Sequence, residues 1–501
     1  MNATLRRLST VVMAMFLVLM ISTTWIQFVQ AESLNEDERN VRGIYSARAR
    51  DRGPIVVGGE PIVTSVPVDD NYKYQRTYSD GDADAASVYA PLTGYFGISG
   101  NVTGMERYAN SYLAGEDDSL WLDRLQNLIT GEEAQGSSVE LTIDPEVQEA
   151  AWRALGDYVG AAVAIDPQTG AILAMVSKPS YDPNPLASHD GVAAQEAFDV
   201  LANTKPEINN RDGSKTQSAD PVLRNRAIET IKPPGSTFKL ITAAAALESG
   251  GYSADTQIPA RDNYIPPHMS RPIGNFGGYP CDPSEQMTLT EALKDSCNSA
   301  FAELAVTVGA EQMNDTFEAF GLDRELSIPM RVEPGSYPAD SSDDIIAQSG
   351  IGQGGVLVTP LQDAMIAAGI ANGGVVMEPY LIDGIRDSDL ELVEKTEPRR
   401  LSNAVSSTTA EALTEMMVEV VENGSGTGAQ IPGVQVAGKT GTAEEDPRAP
   451  TLWFTSFAPA DDPQVAVAVM LENQGEATEA TTGGALAAPV AAQIMRAAIT
   501  Q

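Results

Sequence analysis

Apolar residues along this chain fall into runs of distinct kinds, and each kind predicts a different element. Between Leu8 and Gln30 no side chain carries a charge. An α-helix rises 1.5 Å per residue, so about 20 such residues cross the hydrocarbon core of a bilayer; the run predicts a spanning helix. Shorter apolar runs bounded by turn residues predict strands. Residues 160–165 and 171–176 flank Asp166-Pro167-Gln168-Thr169-Gly170 and read as a hairpin. Residues 451–457 and 464–471, joined by Ala458-Pro459-Ala460-Asp461-Asp462-Pro463, read as two more strands, with a neighbour after Val434 and Val436. Helices surround them. Asp144-Pro145 opens one, Thr288 with Glu291 makes a capping-box start for another, and residues 489–499 close the chain. The alanine-rich stretch after Lys239 reads as one long buried helix, led in by Pro233, Pro234 and Gly235 and ended by Gly250 and Gly251.

At 501 residues the chain suits two domains and an anchor. Its 69 acidic and 32 basic residues give a formal net charge of -37, which argues against nucleic acid as a partner, because phosphate binding needs a basic patch. Arg6 and Arg7 precede the apolar run and Glu32, Glu36 and Asp37 follow it. By the positive-inside rule, the N-terminus is cytoplasmic and the bulk of the chain lies outside. Val29-Gln30-Ala31 also fits a signal-peptide cleavage site, and the chain is exported on either reading. Export bears on Cys281 and Cys297, which would be bridged in an oxidising compartment or remain two buried thiols. With only His189 and His268 available, a Ser-His-Asp triad or a histidine-rich zinc centre has little to draw on, and no metal or cofactor is expected. The run Gly424-Ser425-Gly426-Thr427-Gly428 reads as a flexible connection.

The candidate chemistry lies in three separated motifs. Ser236-Thr237-Phe238-Lys239 places a hydroxyl and an amine three residues apart at a helix start, on one face, so that the two can meet. The helix N-terminus also aims free N–H groups at an oxyanion forming on a substrate of Ser236. Ser296-Cys297-Asn298 and Lys439-Thr440-Gly441-Thr442 follow downstream. Lys239 can act as a base if burial and a second cation such as Lys439 keep it neutral.

The ordered set S-x-x-K, S-x-N, K-T-G resembles the signature of penicillin-binding proteins and serine β-lactamases, and the chain resembles a class B penicillin-binding protein. Asn225-Arg226-Ala227, Gly350-Ile351-Gly352-Gln353-Gly354, Thr359-Pro360-Leu361-Gln362, Ala371-Asn372-Gly373-Gly374 and Trp453-Phe454 carry the likeness further. Arg52-Gly53-Pro54-Ile55 and Gly104-Met105-Glu106 look like the family's N-terminal pedestal. The middle motif reads Ser-Cys-Asn where the family commonly has Ser-Asp-Asn. The resemblance implies an α+β fold, with an antiparallel sheet flanked by helices and an all-helical subdomain carrying the first two motifs. The expected organisation is a cytoplasmic tail (1–7), a transmembrane anchor (8–30), an extended and partly flexible pedestal (31–138) and a transpeptidase domain (139–501).

It also implies a function: a D,D-transpeptidase that cross-links peptidoglycan stem peptides through an acyl-enzyme on Ser236, releases D-alanine and is inhibited by β-lactams. In that scheme Lys239 is the base, Ser296 relays a proton, and Asn298 binds the substrate amide. Lys439, Thr440, Gly441 and Thr442 hold the terminal carboxylate, and the N–H groups of Ser236 and Thr442 form the oxyanion hole. A glycan polymerase or the division or elongation machinery is the implied partner. A D,D-carboxypeptidase uses the same residues, and a non-catalytic β-lactam-binding scaffold would use the same pocket.

Overall fold

The computed structural model describes residues 3–25, 50–70, 72–98, 100–117, 135–210, 212–267, 271–445, 448–472 and 482–499. Helix α1 (Ala3–Thr24) is long and apolar enough over Arg7–Thr24 to cross a membrane, and none of that window is buried against the rest of the chain. It begins before Arg6 and Arg7, which therefore lie on the helix and not in a separate tail. The expected cleavage site and the acidic cluster after it lie outside the described residues, as does His268.

Strands β1 (Ile55–Val57), β2 (Glu60–Pro67) and β3 (Tyr74–Tyr78) precede α2 (Ala83–Thr93), which Asp82 caps by accepting from the N–H groups of Asp84 and Ala85. After β4 (Ser138–Leu141), α3 (Pro145–Leu155) starts on the Asp144 cap with proline at its first turn, as the sequence predicts. The expected hairpin is β5 (Val159–Ile165) and β6 (Ile172–Lys178). Next come α4 (Lys239–Glu248), α5 (Leu289–Lys294) with its Thr288/Glu291 capping box, α6 (Asn298–Val308) and α7 (Pro360–Ala371). The chain ends with β7 (Ile382–Arg386), β8 (Leu392–Lys395), α8 (Ser407–Asn423), β9 (Ala437–Glu445), β10 (Arg448–Ala458), β11 (Val465–Glu472) and α9 (Ala488–Ile499).

Two sheets organise these elements. The larger runs β8-β7-β4-β1-β2-β3, antiparallel except where β1 pairs β4. Because β4 lies between β1 and β7, a boundary drawn at 138/139 falls within a strand that ties the N-terminal module to a hairpin from much later in the chain. The second sheet, β9-β10-β11-β5-β6, is antiparallel throughout. Every residue of β5 and β11 is buried, because α3 and α9 cover one face and α7 the other. Side chains alternate between those faces: Val465, Val467, Val469 and Leu471 join the cluster under α3 and α9, while Ala466, Ala468 and Met470 face α7. Alanines on the second face let α7 pack close. Strand β9 is left at the sheet edge.

The pedestal corrects an expectation. Its acidic, glycine-rich composition reads as extended and partly flexible, yet its described part has a core of Ile55, Val57, Val63, Tyr78, Met105 and Leu113. One of its carboxylates is internal: Glu106 is fully buried, 2.8 Å from Arg52 and 2.5 Å from Arg76.

Candidate active site

The three motifs converge at the edge strand. Gly235–Phe238 forms a single 3-10 turn that feeds α4 and carries Ser236. Gly235 has φ +57, and a Cβ there would sit 2.8 Å from the Thr442 carbonyl oxygen, so glycine is what allows the turn to press against β9. The Gly235 N–H donates to the Gly352 carbonyl at 3.1 Å, and a Cβ on Gly352 would come within 2.0 Å of the Gly235 carbonyl oxygen. The Gly350–Gly354 run thus backs the turn. Gly441 is similarly constrained, 2.7 Å from the Pro234 carbonyl oxygen at its Cβ position.

Lys239 and Lys439 are both fully buried. Lys239 Nζ donates to the Ser296 carbonyl at 2.6 Å and to Asn298 Oδ1 at 2.7 Å, and lies 3.1 Å from Ser296 Oγ. Lys439 Nζ reaches the same Oγ at 2.9 Å and the Thr440 carbonyl at 3.1 Å. The Ser296 hydroxyl therefore bridges two amines. Among the described residues no carboxylate pairs with either lysine. Burial, followed by the charge on Lys439, pushes the Lys239 amine well below the ordinary lysine range, and burial lowers Lys439 to about 7. A neutral Lys239 has two N–H groups for its two carbonyl acceptors and keeps a lone pair for a hydroxyl proton.

Ser236 is half-buried, and among the described residues its hydroxyl makes no hydrogen bond. The spacing predicts that Ser236 and Lys239 meet; here the amine is drawn instead to the S-x-N element, whose carbonyls are better acceptors than a hydroxyl. Catalytic hydrogen bonds are often long without substrate. Thr440 and Thr442 lie on β9. Thr440 Oγ1 is 2.8 Å from Ser425 Oγ, and Thr442 Oγ1 accepts from the Gly483 N–H at 3.5 Å. Among the described residues β9 has no strand neighbour on the side of the Ser236 turn, which leaves an edge that a peptide can pair with.

Ser425 was missed as a site residue because its run reads as a flexible connection. The glycines serve close packing instead: a Cβ on Gly424 would lie 2.6 Å from the Lys294 carbonyl oxygen, and one on Gly428 would lie 2.4 Å from that of Gly484. The only available signal was a serine between glycines ahead of K-T-G.

Cys281 and Cys297 are joined by a disulfide. Next to it Ser296 has φ +59, a left-handed conformation that costs a non-glycine residue about 1–2 kcal/mol. The bridge, the Asn298 Nδ2 bond to the Gly274 carbonyl at 3.2 Å and the Ser299 N–H bond to Asn275 Oδ1 at 2.9 Å hold that conformation from one side. Replacing both cysteines by serine is expected to lower stability by about 3 kcal/mol for a loop of this size, read as a denaturant midpoint shift. Acylation of Ser236 should slow as Ser296 loosens.

A half-buried serine, a buried amine whose proton affinity burial lowers and an edge strand form an arrangement that can carry out acyl transfer with a lysine as base. The chain belongs to the penicillin-binding protein transpeptidase family: residues 160–496 match the family model for the penicillin-binding protein transpeptidase domain, and residues 52–139 match that for the penicillin-binding protein A dimerisation domain. It is 40% identical over 511 residues to the peptidoglycan D,D-transpeptidase PbpA of Mycolicibacterium smegmatis, covering 100% of both chains. It is also 40% identical over 509 residues to PbpA of Mycobacterium tuberculosis, covering 100% of this chain and 99% of that one. The solved structure of penicillin-binding protein A from M. tuberculosis, as a ceftriaxone acyl-enzyme complex, superimposes with a TM-score of 0.83 at 39% identity, covering 91% of this chain and 100% of that chain.

Proposed function

We propose that this protein is a peptidoglycan D,D-transpeptidase whose nucleophile is Ser236, and the observation that carries the proposal is the Lys239–Ser296–Lys439 cluster beside the Ser236 turn. Ser236 Oγ attacks the carbonyl carbon between the two D-alanines of a stem peptide while its proton passes to Lys239. The oxyanion is met by the N–H groups of Ser236 and Thr442, each donor contributing about 3 to 4 kcal/mol where such groups have been removed. The C–N bond then breaks, the leaving D-alanine taking a proton through Ser296, and an ester remains on Ser236. An amine of a neighbouring stem peptide attacks that ester, forms the cross-link and returns the serine proton. Asn298 holds the substrate amide, and Lys439, Thr440, Gly441 and Thr442 hold the terminal carboxylate.

The site sits in residues 139–501, with the module at 31–138 as pedestal and α1 as an uncleaved anchor. Arg6 and Arg7 place the N-terminus in the cytoplasm and the catalytic domain outside. The name of the family model matched by residues 52–139 supports an interaction role for the pedestal, and a membrane glycan polymerase or division or elongation proteins are the partners we propose for it.

Mass spectrometry of the full chain with benzylpenicillin tests the assignment. A stable adduct in the native chain and none in Ser236→Ala is the expected result. Rapid penicillin loss without an adduct would make the protein a hydrolase, and neither adduct nor loss would make it a scaffold.

A further inference from the structure

Directly behind the nucleophile turn lies a side chain that the mechanism above does not use. Asp363, in the first turn of α7, is fully buried, and among the described residues neither of its carboxyl oxygens makes a hydrogen bond of ordinary geometry. The Thr237 hydroxyl is the side-chain hydrogen-bonding group beside that carboxyl, and its effect opposes that of burial. Thr237, itself fully buried, donates to the Pro234 carbonyl at 3.1 Å and so closes the turn that bears Ser236. Its methyl would lie 3.0 Å from a Cβ on Gly441, so the same side chain touches the K-T-G strand. On the other side, Thr455 Oγ1 donates to the Asp363 carbonyl at 2.9 Å, tying α7 to β10. Trp453, two residues earlier on the same face of β10 and paired with Gly441, has a buried indole N–H that is also without a partner.

Other charges around α7 are committed elsewhere or remote. Arg226 and Glu472 are buried and pair with each other at 3.5 Å. Glu229 ends the short helix Arg226–Glu229 that carries Arg226, Arg448 is at the far end of β10 near Glu445, and Glu411, Glu415 and Glu419 of α8 are outside the buried set. Lys239 and Lys439 stand on the substrate side of the turn, bonded to Ser296.

We infer that Asp363 is a positioning residue for Ser236: its carboxyl group, as a hydrogen-bond donor to Thr237, fixes the turn Gly235–Phe238 against β9 and with it the aim of the Ser236 hydroxyl and N–H. A carboxylic acid can donate where a carboxylate cannot, and a carboxylate enclosed here would have no counter-ion. Burial pushes this carboxyl up to about 7, so the neutral form persists near neutrality. When the proton leaves, the donor is lost and an unpaired charge appears behind the nucleophile.

This inference rests on acylation of Ser236 as proposed above, and the test separates the two. The second-order rate of acylation by a fluorescent penicillin is measured on the full chain from pH 5.5 to 9 for the native protein, Asp363→Asn and Asp363→Leu. Asparagine keeps a donor at every pH, so the ratio of its rate to the native rate should be near one at pH 6 and rise about tenfold by pH 8. Leucine has no donor and should acylate about tenfold more slowly throughout, without a fall in Tm. In a Thr237→Val background, the pH-dependent gain from asparagine should disappear. A native chain that takes no penicillin on Ser236 overturns the functional reading and this inference with it. Normal native acylation with a flat asparagine ratio overturns the inference alone, as does a gain that survives in Thr237→Val; should leucine prevent folding, the asparagine ratio still decides.

Discussion

Replacing Lys239 with alanine lowers the acylation rate of the native fold by about 10² to 10⁴, the range that a positioned general base contributes, and arginine in its place gives no rescue. A guanidinium cannot surrender its proton under any condition the protein survives, and its planar fork does not fit a site built for a point donor. Alanine removes the lone pair; arginine retains only the charge. The pH profile of the native protein follows from the two buried amines. They face a common hydroxyl, so they titrate as a pair in two steps. Burial lowers both, and the charge on Lys439 lowers Lys239 in addition, so Lys239 is the one to give up its proton first; Lys439, at about 7, holds its own to higher pH. The form with a neutral base and a cationic carboxylate receptor therefore fills a window bounded above near pH 7. Below the window, acylation should fall about tenfold per pH unit as Lys239 is reprotonated. Above it, capture of anionic β-lactams should weaken as Lys439 neutralises. For stability the sign is opposite to that of an exposed lysine: both folded values lie below the unfolded value of about 10.5, so the folded state binds fewer protons and stability rises with pH until the unfolded lysines titrate. A rate that is flat from pH 5 to 9, or Lys239→Arg acylating as the native chain does, would remove Lys239 from the role of base.

Much of this site was legible in the sequence because its parts are local. A serine and lysine at helical spacing, a capped helix leading into Ser296 and a glycine at 441 each state their requirement within a few residues. The strands of the antiparallel sheet were legible for the same reason, since β5, β6, β10 and β11 are uninterrupted apolar runs with turn residues between them. What stayed hidden depends on contacts between distant segments. Lys239 turns to Ser296 and Asn298 because those acceptors arrive from 57 and 59 residues away. The conformation of Ser296 and the packing of Ser425 against Thr440 leave no local pattern either, and the glycines around Ser425 gave a misleading one: glycine marks both freedom and close approach, and only the neighbouring backbone tells which. Asp363 is masked in the same way, since a charged residue in an apolar helix announces burial only once the helix is known to be enclosed.

The pedestal makes the largest stability prediction. Glu106→Ala should cost about 3–5 kcal/mol, the penalty for breaking a buried ion pair from one side, seen as a lower denaturant midpoint for the cooperative unit containing β1 to β4. The alanine leaves Arg52 and Arg76, each almost wholly buried, without a counter-ion, and Arg52 Nε and Arg76 Nη2 already lack partners. Stacking of the Arg52 guanidinium over Phe96 at 4.0 Å does not replace the carboxylate. Removing all three charges together, as Arg52→Met, Arg76→Leu and Glu106→Leu, should cost far less, because the expense lies in the unpaired remainder and not in the loss of the cluster. Burial alone would push the Glu106 carboxyl up; Arg76 and then Arg52 outweigh it and hold it below the ordinary glutamate range. Its contribution is thus present above the unfolded glutamate value of about 4.3 and is lost as pH falls through the lower folded value, so the native chain should lose stability in acid more steeply than the triple variant. Ser236 lies on a turn against the other sheet, and the acylation rate of Glu106→Ala protein that remains folded should match the native rate. A rate that dropped with the melting temperature would mean that the arginine cluster does more than hold the pedestal together and that β4 and β7, which join the two modules, transmit its state to the catalytic strand.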